Sequence, residues 1–210
     1  MDKKFFIGFS RARSPLKIFS TLIRWAEYPK RIYNPLTWFR LYDASHCFTL
    51  YPKTDKRPFF MVNEAAGSSV RFMSQKHFLD HSLILKLYAV ELPEDLYEAM
   101  KTEGEEWAGA PYALFENVGI VLVRIAHFFG FNIRNPFGQG KAALKCSEMI
   151  LINTILRIPG VNEGLLRSFV RVDFRKELPK DLDTFGVRDL CLICEALNRR
   201  GFIKLAVTWN

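Results

Sequence analysis

The sequence predicts an α+β chain, and three observations carry that reading. Its first half alternates apolar and polar residues at the strand period, its second half spaces apolar residues as helices do, and 49% of its 210 residues are hydrophobic. Lys4 to Ser10 reads as a first strand. Pro15 opens a helix through about Tyr28, with Leu16, Phe19 and Ile23 on one face, and Pro29 and Pro35 bracket a loop. In the strand from Ala44 to Tyr51, alternation puts His46, Phe48 and Leu50 on one side and Cys47, Thr49 and Tyr51 on the other. Pro52 to Asp55 turns the chain. Phe59 to Ala66 and Ser69 to Met73 are strands broken at Gly67, and Leu83 to Glu91 is another, so a small antiparallel sheet is expected early.

Helices dominate the second half of the chain. Pro93 starts one from Glu94 to about Trp107, and the acids Glu94 and Asp95 suit the positive end of its macrodipole. The mostly apolar segment from Leu114 to Phe131 reads as helical, with Leu114, Val118, Val121, Ile125 and Phe128 forming a face expected to be buried. A loop at Asn135 to Gly140 precedes a helix near Lys145 to Arg157, stopped by Pro159-Gly160. A short helix around Glu163 to Val170, a helix near Val187 to Arg199 and a strand from Phe202 to Thr208 complete the chain. No repeat, low-complexity tract or linker divides it, so residues 1–210 read as one domain with a helical insertion around 114–140.

The net charge of +8 favours contact with anionic material such as a phospholipid surface or an acidic cell-wall polymer. The excess is dispersed, with no arginine-rich tail or aromatic-basic interleaving, which argues against nucleic acid. Four cysteines without a framework fit a reducing compartment or a working thiol rather than a disulfide scaffold. Arg11 and Arg13 cut the apolar run after Lys3-Lys4 short of a signal-peptide core. The run from Ile120 to Phe131, interrupted by Arg124 and His127, falls short of the roughly 20 apolar residues a membrane helix needs. No signal peptide or transmembrane segment is expected.

The candidates for chemistry begin with Cys146, at the start of its expected helix. The partial positive charge there favours a thiolate, and free backbone N–H groups can hold an oxyanion. Met149, Ile150, Ile152 and Ile155 would bury the helix behind it. By periodicity alone Cys146 reads as a buried cysteine entering a core helix, and His46, beside Phe48 and Leu50, as a core or rim histidine bonded to backbone. Glu64 is a carboxylate inside a short hydrophobic strand, which needs a partner if buried and none if the strand is an edge facing water.

Taken together, Ser45-His46 on a strand, Asn63-Glu64-Ala65 on the next, Gly109-Ala110-Pro111-Tyr112 after a helix and Lys145-Cys146-Ser147-Glu148 opening another resemble the circularly permuted NlpC-type papain-like family. That branch includes lecithin:retinol acyltransferase-like proteins and places its histidine before its cysteine. The resemblance spans roughly residues 4–190. It implies a papain-like fold in which Cys146 is the nucleophile, His46 its general base, Glu64 the orienter of the imidazole and Tyr112 a contributor to the oxyanion site. It implies neither cofactor nor metal. The substrate it implies is an amide or peptide bond, such as one in a peptidoglycan stem peptide. A lipid ester or acyl group handled by the same pair is the alternative, and a non-catalytic interaction or virion component retaining the fold is a third. It also suggests a bacterial or phage origin, with a cytoplasmic or phage-associated location. Two departures concern the substrate pocket. Lys145 stands where many relatives carry an aspartate or aromatic residue, and Leu114 to Phe131 widens the interval between Tyr112 and Cys146.

The remaining cysteines and histidine pair are assigned to structure. Cys191 and Cys194 have metal-like spacing but lie in an amphipathic helical pattern and are expected to pack in the core without zinc. Cys47 points opposite to His46 by alternation and is expected to be structural. His77 and His81, four apart, are expected in a solvated turn.

Overall fold

The computed structural model describes residues 2–13, 44–53, 60–66, 69–111, 119, 122–123, 126, 129–131, 133, 145–179 and 185–208. The strands are β1 Asp2–Ala12, β2 His46–Tyr51, β3 Met61–Ala66, β4 Ser69–Ser74, β5 Ser82–Pro93 and β6 Lys204–Thr208. They form one antiparallel sheet in the order β4-β3-β2-β1-β5-β6. Five α-helices accompany it among the described residues: α1 Gln75–His81, α2 Glu94–Glu106, α3 Cys146–Asn153, α4 Glu163–Phe174 and α5 Val187–Arg199.

Period-two alternation sorts the central strands between two cores. Phe5, Ile7, Phe9, Cys47, Tyr51 and Ala65 join the larger one, which Met149, Ile150, Leu190 and Ile193 of the helices complete. Phe48, Leu50, Val62 and Leu87 join the smaller one with Phe78 of α1. Gly8 pairs with Phe48 across β1 and β2, and a Cβ there would stand 2.1 Å from the Phe48 ring. The ring therefore lies over the bare glycine backbone, which a larger residue would block.

Four local expectations are corrected. Where a solvated turn is expected at His77 and His81, residues 75–81 form α1. Ser74 Oγ accepts from the His77 N–H as the N-cap, and Phe78 is buried with its ring centroid 4.5 Å from that of Phe48. Tertiary packing thus stabilises a helix too short to stand alone. The helix expected through Arg157 ends at Asn153, where Thr154 turns the chain into a 3-10 segment, Ile155–Arg157. Ile152 is exposed rather than buried, because it shares with Glu148, four residues earlier, the one outward face of α3, and Leu151 is buried instead. Helix α4 also runs past Val170 to Phe174, where Arg175 closes it in the left-handed conformation at φ 51°.

The expected helix from Pro15 to Tyr28, the loop between Pro29 and Pro35, the loop from Asn135 to Gly140, and the face formed by Leu114, Val118, Val121, Ile125 and Phe128 lie outside the described residues. Of the insertion around 114–140, Gly119, Leu122, Val123 and Ala126 are helical, and Phe129 and Phe131 are 67% and 65% exposed. No helix among the described residues is long and apolar enough to cross a membrane.

Candidate active site

Cys146 is the first residue of α3, preceded by Lys145 in extended conformation as the N-cap. The first N–H with a helical partner is that of Met149, bonded to the Lys145 carbonyl at 2.9 Å, so the N–H groups before it make no bond within the helix. Buried Met149, Ile150 and Leu151 press α3 into the larger core, and Ser147 Oγ donates to the Phe185 carbonyl at 2.8 Å. These contacts fix where the helix begins. The Lys145 side chain is buried as well.

His46 is the first residue of β2, opposite Ser10 of β1. Its Nε2 lies 2.6 Å from Glu64 Oε2, and its ring is hydrogen-bonded to the Cys146 thiol. With Nε2 committed to Glu64, Nδ1 is the nitrogen available to exchange a proton with Cys146. Glu64, 3% exposed at its side chain, spends its other oxygen on Arg71, which donates from Nε at 2.9 Å and from Nη2 at 2.7 Å. The carboxylate is thus buried and doubly partnered, which is the condition under which a carboxylate can be held inside a sheet. The histidine side chain keeps 14% of its surface exposed.

The electrostatics follow from these contacts. Burial alone would lower the His46 pKa, but the charge of Cys146, then that of Glu64, and hydrogen bonds to both outweigh it and raise the pKa to about 10. Burial would likewise raise Glu64, and the His46 charge, with hydrogen bonds from His46 and Arg71, holds it down at about 2. Cys146 is held well below the usual thiol range. The first cause is a hydrogen bond from the Cys47 thiol, which burial opposes and to which the His46 charge and the Cys47 backbone N–H add. Both shifts favour the charged forms, a thiolate on Cys146 and an imidazolium on His46.

Of the four residues singled out in the sequence, the structure brings His46, Glu64 and Cys146 into one hydrogen-bonded row. Tyr112 lies outside the described residues. Pro111, just before it, bridges to Ser69 at the start of β4. Sequence reasoning misses two participants. Arg71 pairs with Glu64 across β3 and β4, a register that a two-residue hairpin at Gly67-Ser68 would have given. Cys47 joins the larger core, as alternation leads one to expect, and together with His46 it also lowers the Cys146 pKa.

Cys191 and Cys194 differ sharply from Cys146. Burial pushes the Cys191 thiol up to about 11 and raises that of Cys194 as well, so neither is activated. Among the described residues no group of three or more His, Cys, Asp or Glu side chains is gathered as a metal site would require.

Comparison with protein-family models, with curated proteins and with solved structures finds no match for this chain.

Proposed function

We propose that this chain is a cysteine hydrolase of the permuted papain-like kind, cleaving amide bonds through an acyl-thioenzyme. One observation carries the reading: a thiol at a helix N-terminus is hydrogen-bonded to a histidine whose far nitrogen is held 2.6 Å from a buried carboxylate. In this reading the Cys146 thiolate attacks the carbonyl carbon, and the Cys146 N–H, with Tyr112 by resemblance, receives the developing oxyanion. The His46 imidazolium gives its proton to the departing amine. Water then attacks the thioester with His46 taking its proton, and Cys146 leaves as thiolate. Glu64 is a positioning residue: it fixes the ring and stabilises its charge, and Arg71 keeps it ionised. The histidine strand preceding the cysteine helix along the chain is the order of the permuted branch.

The substrate proposed is a carboxylate-bearing peptide, such as a peptidoglycan stem peptide. The support is the net charge of +8 and a cavity of about 280 Å³ lined by Arg167 and the exposed Arg171 with Ser168 and Glu177, where Arg167 itself donates to Glu163 and to the Leu178 and Pro179 carbonyls. A second reading, a lipid acyl substrate, is favoured by the exposure of Phe129 and Phe131. A reducing bacterial cytoplasm, or a phage particle assembled in it, would keep the thiol usable.

The test is a side-by-side assay of muropeptides and long-chain acyl esters, with Cys146→Ala as blank. Turnover of muropeptides lost in the variant is the expected result. Turnover of the esters alone reverses the substrate class, and turnover of neither, with Cys146 inert to iodoacetamide, removes the catalytic reading.

A further inference from the structure

His77 and His81 lie on α1, whose Phe78 packs in the smaller core, whereas Cys146 belongs to the larger one. Both histidines are exposed, and their ring centroids are 5.3 Å apart with the planes at 86°. Four residues apart on a helix, they share one face. Each is also anchored through its backbone from outside the helix. Ser74 Oγ accepts from the His77 N–H at 3.3 Å, and the His81 carbonyl accepts from the Arg13 N–H at 3.0 Å. Buried Phe78, between them in the chain, seats the helix on the Phe48 ring of β2.

We propose that His77 and His81 form a two-imidazole site for a divalent transition metal ion such as zinc, which clamps α1 across one turn. Zinc binds an imidazole nitrogen at about 2.0–2.1 Å and the ring centroid lies about 1.15 Å behind that nitrogen, so two imidazoles on one tetrahedral ion have centroids about 5.1–5.3 Å apart. The observed 5.3 Å meets that requirement with no movement of the helix. What remains is rotation about the Cβ–Cγ bonds, a soft torsion in histidine, to turn one nitrogen of each ring toward the ion. Two histidines at this spacing on one helical face are how helical zinc sites present a pair of ligands.

Among the described residues no third protein ligand joins the pair, so the other positions of the ion are open to water and the site is a chelate rather than the closed four-ligand cage of a structural zinc. Nitrogen ligands select zinc, nickel or copper over calcium and magnesium. Asp80 in the same helix favours a cation and Lys76 opposes it, which leaves the two imidazoles to carry the binding. The clamp falls where the chain is weak by itself. Helix α1 has seven residues, below the length at which a helix stands alone. An ion joining its third and last residues holds the turn between them closed and, by binding the folded chain only, raises its stability.

The experiment titrates zinc chloride into the full chain carrying Cys146→Ala, so that the thiol at the start of α3 does not compete for the metal, and follows the ring proton resonances of the four histidines by NMR. The signals of His77 and His81, assigned by their loss in His77→Ala and His81→Ala, are expected to move together and saturate at one ion per chain, while those of His46 and His127 stay. Melting temperature is expected to rise with zinc. Each single variant should weaken binding by at least about 10- to 100-fold, since even the loss of an outer-shell partner costs that much. Both side chains are exposed, so both variants should fold, and the two-ring shift in the parent chain is read without them. Movement of one ring of the pair without the other, movement of His46 or His127 instead, or unweakened binding in either variant overturns the proposal. So does the absence of any shift in millimolar zinc, which would leave His77 and His81 an edge-to-face ring contact. Turnover enters none of these readouts, so the inference stands or falls apart from the hydrolase reading.

Discussion

His46 Nε2 and Glu64 Oε2 stand 2.6 Å apart although the ladder pairs Glu64 with Phe48, not with His46. The contact is diagonal across β2 and β3, within the reach of a long side chain. It converts a buried carboxylate, costly by itself, into the holder of an imidazolium.

Replacing Glu64 with Gln should therefore weaken the thiolate–imidazolium pair without removing either member. Hydrolytic turnover should fall by about 10²- to 10⁴-fold, the range spanned by general base catalysis and by loss of a histidine's orienting acid. Iodoacetamide labelling of Cys146 against pH should shift its inflection upward. An unchanged inflection would show that Glu64 does not act through His46.

Stability should plateau in the neutral range. His46, raised to about 10 from its ordinary 6.5, contributes stability that is present below 6.5 and lost as pH rises through about 10. Cys146, depressed from 9.0, contributes stability that is present above 9.0 and lost as pH falls through its folded value. Between 6.5 and 9.0 the folded pair holds its one proton on His46 and the unfolded chain holds its one proton on Cys146, so the two slopes cancel. Melting temperature should be flat in that window and fall above 9.0. In Cys146→Ala the leading cause that raises His46 goes with the thiolate, so the His46 pKa should fall and the loss of stability seen above 9.0 in the wild type should move to lower pH or vanish. A variant whose melting temperature falls above 9.0 as the wild type's does would remove the coupling.

At the acid end Glu64, depressed to about 2 from 4.5, stabilises the fold fully above 4.5, and that contribution is lost as pH falls through about 2. Arg71→Ala should raise the Glu64 pKa and move the acid-unfolding midpoint upward. Since the Arg71 side chain is 48% exposed, the cost at neutral pH should be modest, about 1 kcal/mol by urea titration. An unmoved acid midpoint would mean that Arg71 does not hold the carboxylate.

Gly8→Ala should destabilise the sheet by about 1–3 kcal/mol, the usual cost of overpacking, because the new Cβ meets the Phe48 ring. Gly8→Ala combined with Phe48→Leu should recover part of that loss. If the pair is no better than Gly8→Ala alone, the clash is not the cause.

The elements of this chain are largely legible in its residues because their causes are local. The short apolar run from Phe5 to Phe9, cut by Arg11, marks β1, the acids after Pro93 mark α2, and the helical pattern near Val187 to Arg199 marks α5 with the bounds observed. Helix α1 is not legible, since it exists through Phe78 packing on Phe48, a contact between segments. The same division runs through the candidate site. The order of the four motifs, by resemblance, picks out Cys146 at a helix start, and the lone acid in a hydrophobic strand draws attention to Glu64. Only the tertiary structure decided that Arg71 would neutralise that acid and that Cys47 would lower the Cys146 pKa. Strand register sets the first and the seating of α3 against β2 sets the second, and both are fixed by side-chain packing across long separations in the chain.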